Sequence, residues 1–118
     1  MLPLSKCLPL PSKLALMYIF NITTNISEEI EKDWLLWMND TFIPNMIATN
    51  KFHKAIMTQV EVDEEMGGIT YSTQYFTHSK TLLDRFFEED QPSILQKHTK
   101  FRGQYVDFST TLKVISEQ

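Results

Sequence analysis

The chain has 118 residues, 42% of them hydrophobic and 22% charged, with a formal net charge of −4. That length fits one domain with an ordinary core, and the acidic balance repels phosphate backbones, so nucleic acid is not an expected partner. One cysteine, Cys7, allows neither an internal disulfide nor a cysteine metal site and suits a reducing, cytoplasmic setting, and no apolar run is long enough to make a membrane an expected partner.

Residues 1–16, "MLPLSKCLPLPSKLAL", have no helix or strand period, and Pro3, Pro9 and Pro11 break the run that a signal peptide needs. They read as a disordered N-terminal extension, with residues 17–118 as one domain and Met17 a candidate initiator. "YIFNIT" (18–23) is aromatic and β-branched, the first strand. A helix follows, with Ser27 as its cap and Glu28, Glu29 and Glu31 at the positive end of its dipole. Pro44 predicts its end near Ile43, with a short turn through Ala48 and a left-handed exit at Asn50.

"FHKAIMTQVEVD" (52–63) alternates as a second strand, and "EEMGG" (64–68) is a turn in which Gly67 and Gly68 can take positive φ. "ITYSTQYF" (69–76) completes a hairpin. A second helix over 78–90 carries Leu82, Leu83, Phe86 and Phe87 on one side, and Pro92 opens a further helical stretch to about Phe101. "YVDFSTTLKV" (105–114) is the last strand. The order β-α-β-β-α-β predicts an α+β, ferredoxin-like fold, a four-stranded antiparallel sheet with both helices on one face.

Within "WLLWM" (34–38), a rotation of about 100° per residue gathers Ile30, Trp34, Trp37, Met38 and Thr41 into one stripe. Leu35 and Phe42 fall on its flank, and Leu36 alone turns to the solvated face of Glu29, Lys32, Asn39 and Asp40. Alternation along the strands groups Tyr18, Phe20, Ile22, Ile56, Val60, Val62, Ile69, Tyr71, Tyr75, Val106, Phe108 and Leu112 on the helix side. The opposite, semi-polar face then holds Asn21, Met57, Gln59, Ser72, Gln74, Tyr105 and Asp107. A water-facing sheet explains them, and so does a ligand or dimer interface, because amides are uncommon inside strands.

Other motifs carry little. His53, His78 and His98 lack ligand spacing, so no metal and no cofactor is expected. "EVDEE" (61–65) lacks the spacing of a calcium loop and instead keeps a hairpin tip soluble, and "EED" (88–90) reads as solvated. The element order also suits an RNA recognition motif, but Tyr71 and Tyr75 fall on the helix side.

The series "MYIFNITTNI", "WLLWM", "IPNMIATNKF", "GGITYSTQY" and "YVDFSTTL", from Met17 to about Leu112, resembles the domain of unknown function 4286 family of short bacterial proteins. That resemblance implies a ferredoxin-like fold of the dimeric α+β barrel kind, in which semi-polar sheet faces meet and can enclose a cavity. It favours an interface or ligand role for Asn21, Gln74 and their neighbours. Where members of that family often carry His and Gly, this chain has Phe42 and Asn50. The expected function is a small cytoplasmic homodimer that binds a small-molecule ligand or partner without catalysis of its own. The alternatives are an enzyme resembling the cofactor-independent monooxygenases of dimeric α+β barrels, and a small-molecule-sensing regulatory domain.

Overall fold

The computed structural model describes residues 17–63, 65 and 67–118. The disordered extension expected at 1–16 lies outside them. β1 (Tyr18–Ile26) leads into α1, residues 28–47, which is built from a 3₁₀ turn (Glu28–Ile30), an α segment (Glu31–Trp37), a π turn (Met38–Phe42) and a second α segment (Ile43–Ile47). β2 (Lys54–Gln59) and β3 (Ile69–Thr77) follow. α2, residues 80–97, repeats the plan with an α segment (Lys80–Arg85), a π turn (Phe86–Asp90) and a second α segment (Gln91–Lys97), and β4 (Tyr105–Lys113) ends the fold. The sheet order is β2-β3-β1-β4, with every pair antiparallel. This is the expected ferredoxin-like arrangement.

Pro44 does not end the first helix, contrary to expectation. A proline in a helix removes one donor and crowds the preceding turn. Here a π turn directly precedes the segment in which the proline stands second, at Pro44 in α1 and again at Pro92 in α2. A π turn holds one extra residue, which opens the turn at the point of conflict. It also restores the facing of the two halves. Met38 and Met46 are both buried, as are Phe86 and Ile94, and each pair is eight residues apart. In a regular α-helix such pairs would sit about 80° apart. With one residue absorbed by the π turn, the remaining seven cover about 700°, within about 20° of two full turns.

Ser27 stands at the start of α1, but its side chain makes no capping bond; Ser79 does cap α2, accepting from the Leu82 N–H at 3.1 Å. Asn50 takes the expected left-handed exit, φ 64°. "WLLWM" faces as its spacing predicts: Trp34 and Met38 are buried, Leu35 and Trp37 half-buried, and Leu36 is 54% exposed.

Under the helices, Phe20, Phe52, Tyr75, Leu83 and Phe86 form one buried cluster, with Phe52 and Phe86 edge to face at 4.9 Å between centroids. Ile26, Trp34, Met38, Tyr71 and Phe101 form a second. Tyr71 donates its hydroxyl to Glu31, and burial, with that carboxylate beside it, pushes its pKa up to about 12. Tyr71 and Tyr75 are both buried, so neither is open to a stacking base. Lys51, just after α1, is buried and pairs with Asp90 at 2.9 Å and Glu89 at 3.2 Å in the π turn of α2. The acidic run at 88–90 is therefore partly an anchor between the helices, and not only a solvated end.

The strand faces need a correction. Directly paired residues in an antiparallel sheet share a face. Phe20 pairs with Tyr75, and Tyr75 with Ala55, so β2 turns Ala55, Met57 and Gln59 toward the helices. Ile22 pairs with Ser109 and Thr24 with Asp107, so β4 turns Tyr105, Asp107 and Ser109 the same way. Ile56, Val106, Phe108 and Leu112, expected under the helices, lie on the open face. β2 and β4 are the edge strands; on β2 Ala55 and Met57 still pack against the core while Ile56 faces out, and on β4 the more apolar side chains turn away from the helix layer.

Candidate functional site

The sheet presents two different surfaces. On the open face, Ile56, Gln74, Asn21 and Thr110 form one row across the four strands, and Thr58, Ser72, Thr23 and Phe108 form the next. The amides there are held in place. The Ser72 hydroxyl donates to Asn21 Oδ1 at 2.6 Å, the Asn21 amide to Thr23 Oγ1 at 3.1 Å, and the Asn25 amide to Thr70 Oγ1 at 3.1 Å. Around this polar strip stand Phe108, 64% exposed, and Val106, 70% exposed, with Ile56 and Leu112 also open. Large apolar side chains clustered on one uncovered face mark a contact surface more strongly than scattered ones do.

On the other side, a cleft of about 90 Å³ runs between the helices and the sheet. α1 supplies Trp34, Trp37, Met38 and Phe42, the last two from its π turn. β1 and β3 supply Ile22, Thr24, Thr73 and Tyr75, and α2 ends at the cleft with Ile94, Leu95 and then His98. β4 closes the mouth with Tyr105 and Asp107. Because α1 and α2 stop short of β4, that strand borders the cleft while keeping solvent on both faces.

Three polar groups give the cleft its chemistry. The Tyr75 hydroxyl is fully buried and has no hydrogen-bond partner among the described residues. Burial alone pushes its pKa far upward, so it remains a neutral phenol. The Asp107 carboxyl keeps access to water at the mouth, yet partial desolvation holds its pKa above the ordinary value. His98 packs edge-on against Trp37 and Phe42, with its Nε2 3.1 Å from the Asn45 amide nitrogen. Burial, and then the charge of Lys97, hold its pKa below 6.5, so the ring is neutral near pH 7.

The seven residues expected on one semi-polar face are therefore divided. Asn21, Ser72 and Gln74 share the open face, while Met57, Gln59, Tyr105 and Asp107 face the helix side, with Tyr105 and Asp107 at the cleft. Sequence reasoning missed His98 and Tyr75 as neighbours. No spacing joins them to Asp107, because the cleft is assembled from five separate elements.

A family model described as Domain of unknown function (DUF4286) matches residues 17–115. The chain belongs to this family. No curated protein matches it. Among solved structures, a mutant form of SnoaB, a cofactor-independent oxygenase from Streptomyces nogalater, is 11% identical with a TM-score of 0.62, over 87% of this chain and 97% of that one. A putative antibiotic biosynthesis monooxygenase from Bacillus cereus is 12% identical, TM-score 0.60, over 87% and 97%. A dimeric ferredoxin-like protein from an uncultured marine organism is 12% identical, TM-score 0.56, over 86% and 98%. At such identities the likeness is one of fold. Among the described residues no helix is long and apolar enough to cross a membrane.

Proposed function

We propose that this member of the DUF4286 family is a homodimer that binds a small molecule, with its two copies meeting through the open sheet face and the ligand entering the cleft between helices and sheet. The observation that carries this reading is the cleft itself, a largely aromatic hole with His98 and Asp107 among its lining residues. A concave, mainly apolar space with a few polar groups at its edge, here His98 and Asp107, is the usual form of a small-molecule site. The dimer is supported by the apolar rim of Phe108, Val106, Ile56 and Leu112 around a fixed amide strip, and by the dimeric ferredoxin-like protein of the same fold. The lone Cys7 suits a cytoplasmic setting for it.

Native mass spectrometry of protein purified from its host tests both halves at once. The expected species is a dimer carrying non-protein mass. A monomer at micromolar concentration would sink the dimer, and dimers of bare protein mass would sink the ligand.

A second reading, catalysis of the cofactor-independent oxygenase kind, draws on His98 and Asp107 lining one cleft. A raised carboxyl and a lowered imidazole are the combination used for proton transfer near neutral pH. Under that reading D107N and H98N would each lower oxygen uptake with an aromatic substrate, and oxygen uptake indifferent to both would exclude it.

A further inference from the structure

Among the described residues that line the cleft, Asp107 contributes the only formal charge; no lysine or arginine is among them, and His98 is neutral near pH 7. An anionic ligand would lose its water and gain no counter-charge. The rings of Trp34, Trp37, Phe42, Tyr75 and Tyr105 all line the same space. Aromatic rings present a negative quadrupole face, and grouped rings, indoles above all, attract organic cations. The thioether of Met38 adds a polarisable wall.

Size narrows the occupant further. The cleft holds about 90 Å³, less than the roughly 150 Å³ of a cavity that takes one benzene, which suits one compact head group better than an extended ring system. We infer that the cleft binds a small organic cation, an alkylated ammonium group seated among Trp34, Trp37 and Phe42 with Asp107 as its counter-ion. This rests on the ligand-binding reading above and narrows it to one charge class. The partial desolvation of the Asp107 carboxylate agrees, since a cation beside it removes the penalty of holding that charge alone.

The two tryptophans of the chain both line the cleft, so intrinsic fluorescence reads its occupancy directly. Three compact probes differ mainly in charge: tetramethylammonium, tert-butyl alcohol and trimethylacetate, each titrated at constant ionic strength. Tetramethylammonium is expected to bind about tenfold or more tighter than tert-butyl alcohol, with trimethylacetate weakest. D107N, a same-shape change on an exposed edge strand, should erase most of that preference. Equal or tighter binding of the neutral probe overturns the cation while leaving the small-molecule cleft intact, and so does preference for the anion. Selectivity unchanged in D107N removes Asp107 as counter-ion. No response to any probe overturns the inference, and bare protein mass in the native spectrum then takes the ligand reading with it.

Discussion

Replacing Tyr75 with Phe should make the ligand-free protein more stable. The ring sits in the aromatic cluster, 5.5 Å from Phe52 and 6.5 Å from Phe20 between centroids, and Y75F keeps those contacts. What it removes is a hydroxyl that is fully buried and unbonded. Leaving such a group unsatisfied costs about 1–3 kcal/mol. The void left by one oxygen, roughly 15 Å³ at about 24 cal/mol per Å³, gives back about 0.4 kcal/mol. The expected net gain is about 1–2 kcal/mol, a rise in melting temperature of roughly 4–8 °C per kcal/mol for a domain near this size. Urea denaturation followed by far-ultraviolet circular dichroism measures it, with an unchanged slope confirming that the same surface unfolds. T77V is a companion, because the Thr77 hydroxyl is also buried and unbonded. A Y75F protein that is unchanged or less stable would mean the hydroxyl is already bonded, for instance by a water in the cleft, and the argument for an unmet group would fail.

Three other outcomes follow from the fold. Gly67 and Gly68 both have φ 81°, but an added Cβ meets nothing at Gly67, whereas at Gly68 it lies 2.5 Å from Asn25 Oδ1 and 2.7 Å from the Ile26 carbonyl oxygen. G67A should cost about 1–2 kcal/mol for its left-handed backbone, and G68A clearly more; equal losses by urea denaturation would refute the close approach. F108K should raise the dimer dissociation constant about tenfold or more in sedimentation experiments while leaving the melting of the monomer nearly unchanged, and an unaltered dimer would place the interface elsewhere. His98 has a folded-state pKa below 6.5, so the unfolded chain takes up a proton that the native state resists. Its contribution is therefore complete above 6.5 and declines as the pH falls through that value. Denaturation at pH 7.5 and 5.5 should show the loss, H98N should flatten it, and the slope that remains should belong to His53, which burial also holds low.

Much of this architecture was legible in the residues. The facing of Trp34, Met38 and Leu36 followed from rotation per residue, and the element order followed from the change between helical and strand periods. Pro44 misled because its local rule is a helix stop, whereas a π turn, which has no composition signal of its own, accommodates it inside a continuous helix; Pro92 does open a helical segment, but a π turn joins that segment to the helix before it. The phasing of β2 and β4 misled for a different reason. Alternation shows which residues share a face, but pairing to the neighbouring strand decides which face that is. On β4 the more apolar side points away from the helices, and on β2 Ile56 stands on the opposite face from the core-packed Ala55 and Met57, so Ile56 and Phe108 draw the wrong inference. Asp107 was singled out as a site residue and assigned the wrong neighbours, and His98 had no sequence signal at all.

β4 illustrates what such a strand permits in the way of change. Its nine residues alternate between two neighbours, with Tyr105 and Asp107 on the cleft and Val106 and Phe108 on the open face. Substitutions at any one of these positions affect a single surface. Inserting or deleting one residue within the strand is different, because the side-chain period is two. Downstream of the change, the aspartate would join the apolar face and the phenylalanine the cleft, damaging both surfaces together. Length variation among members of the family should therefore collect in the segments on either side of β4, such as residues 98–104 before it, and spare the strand itself.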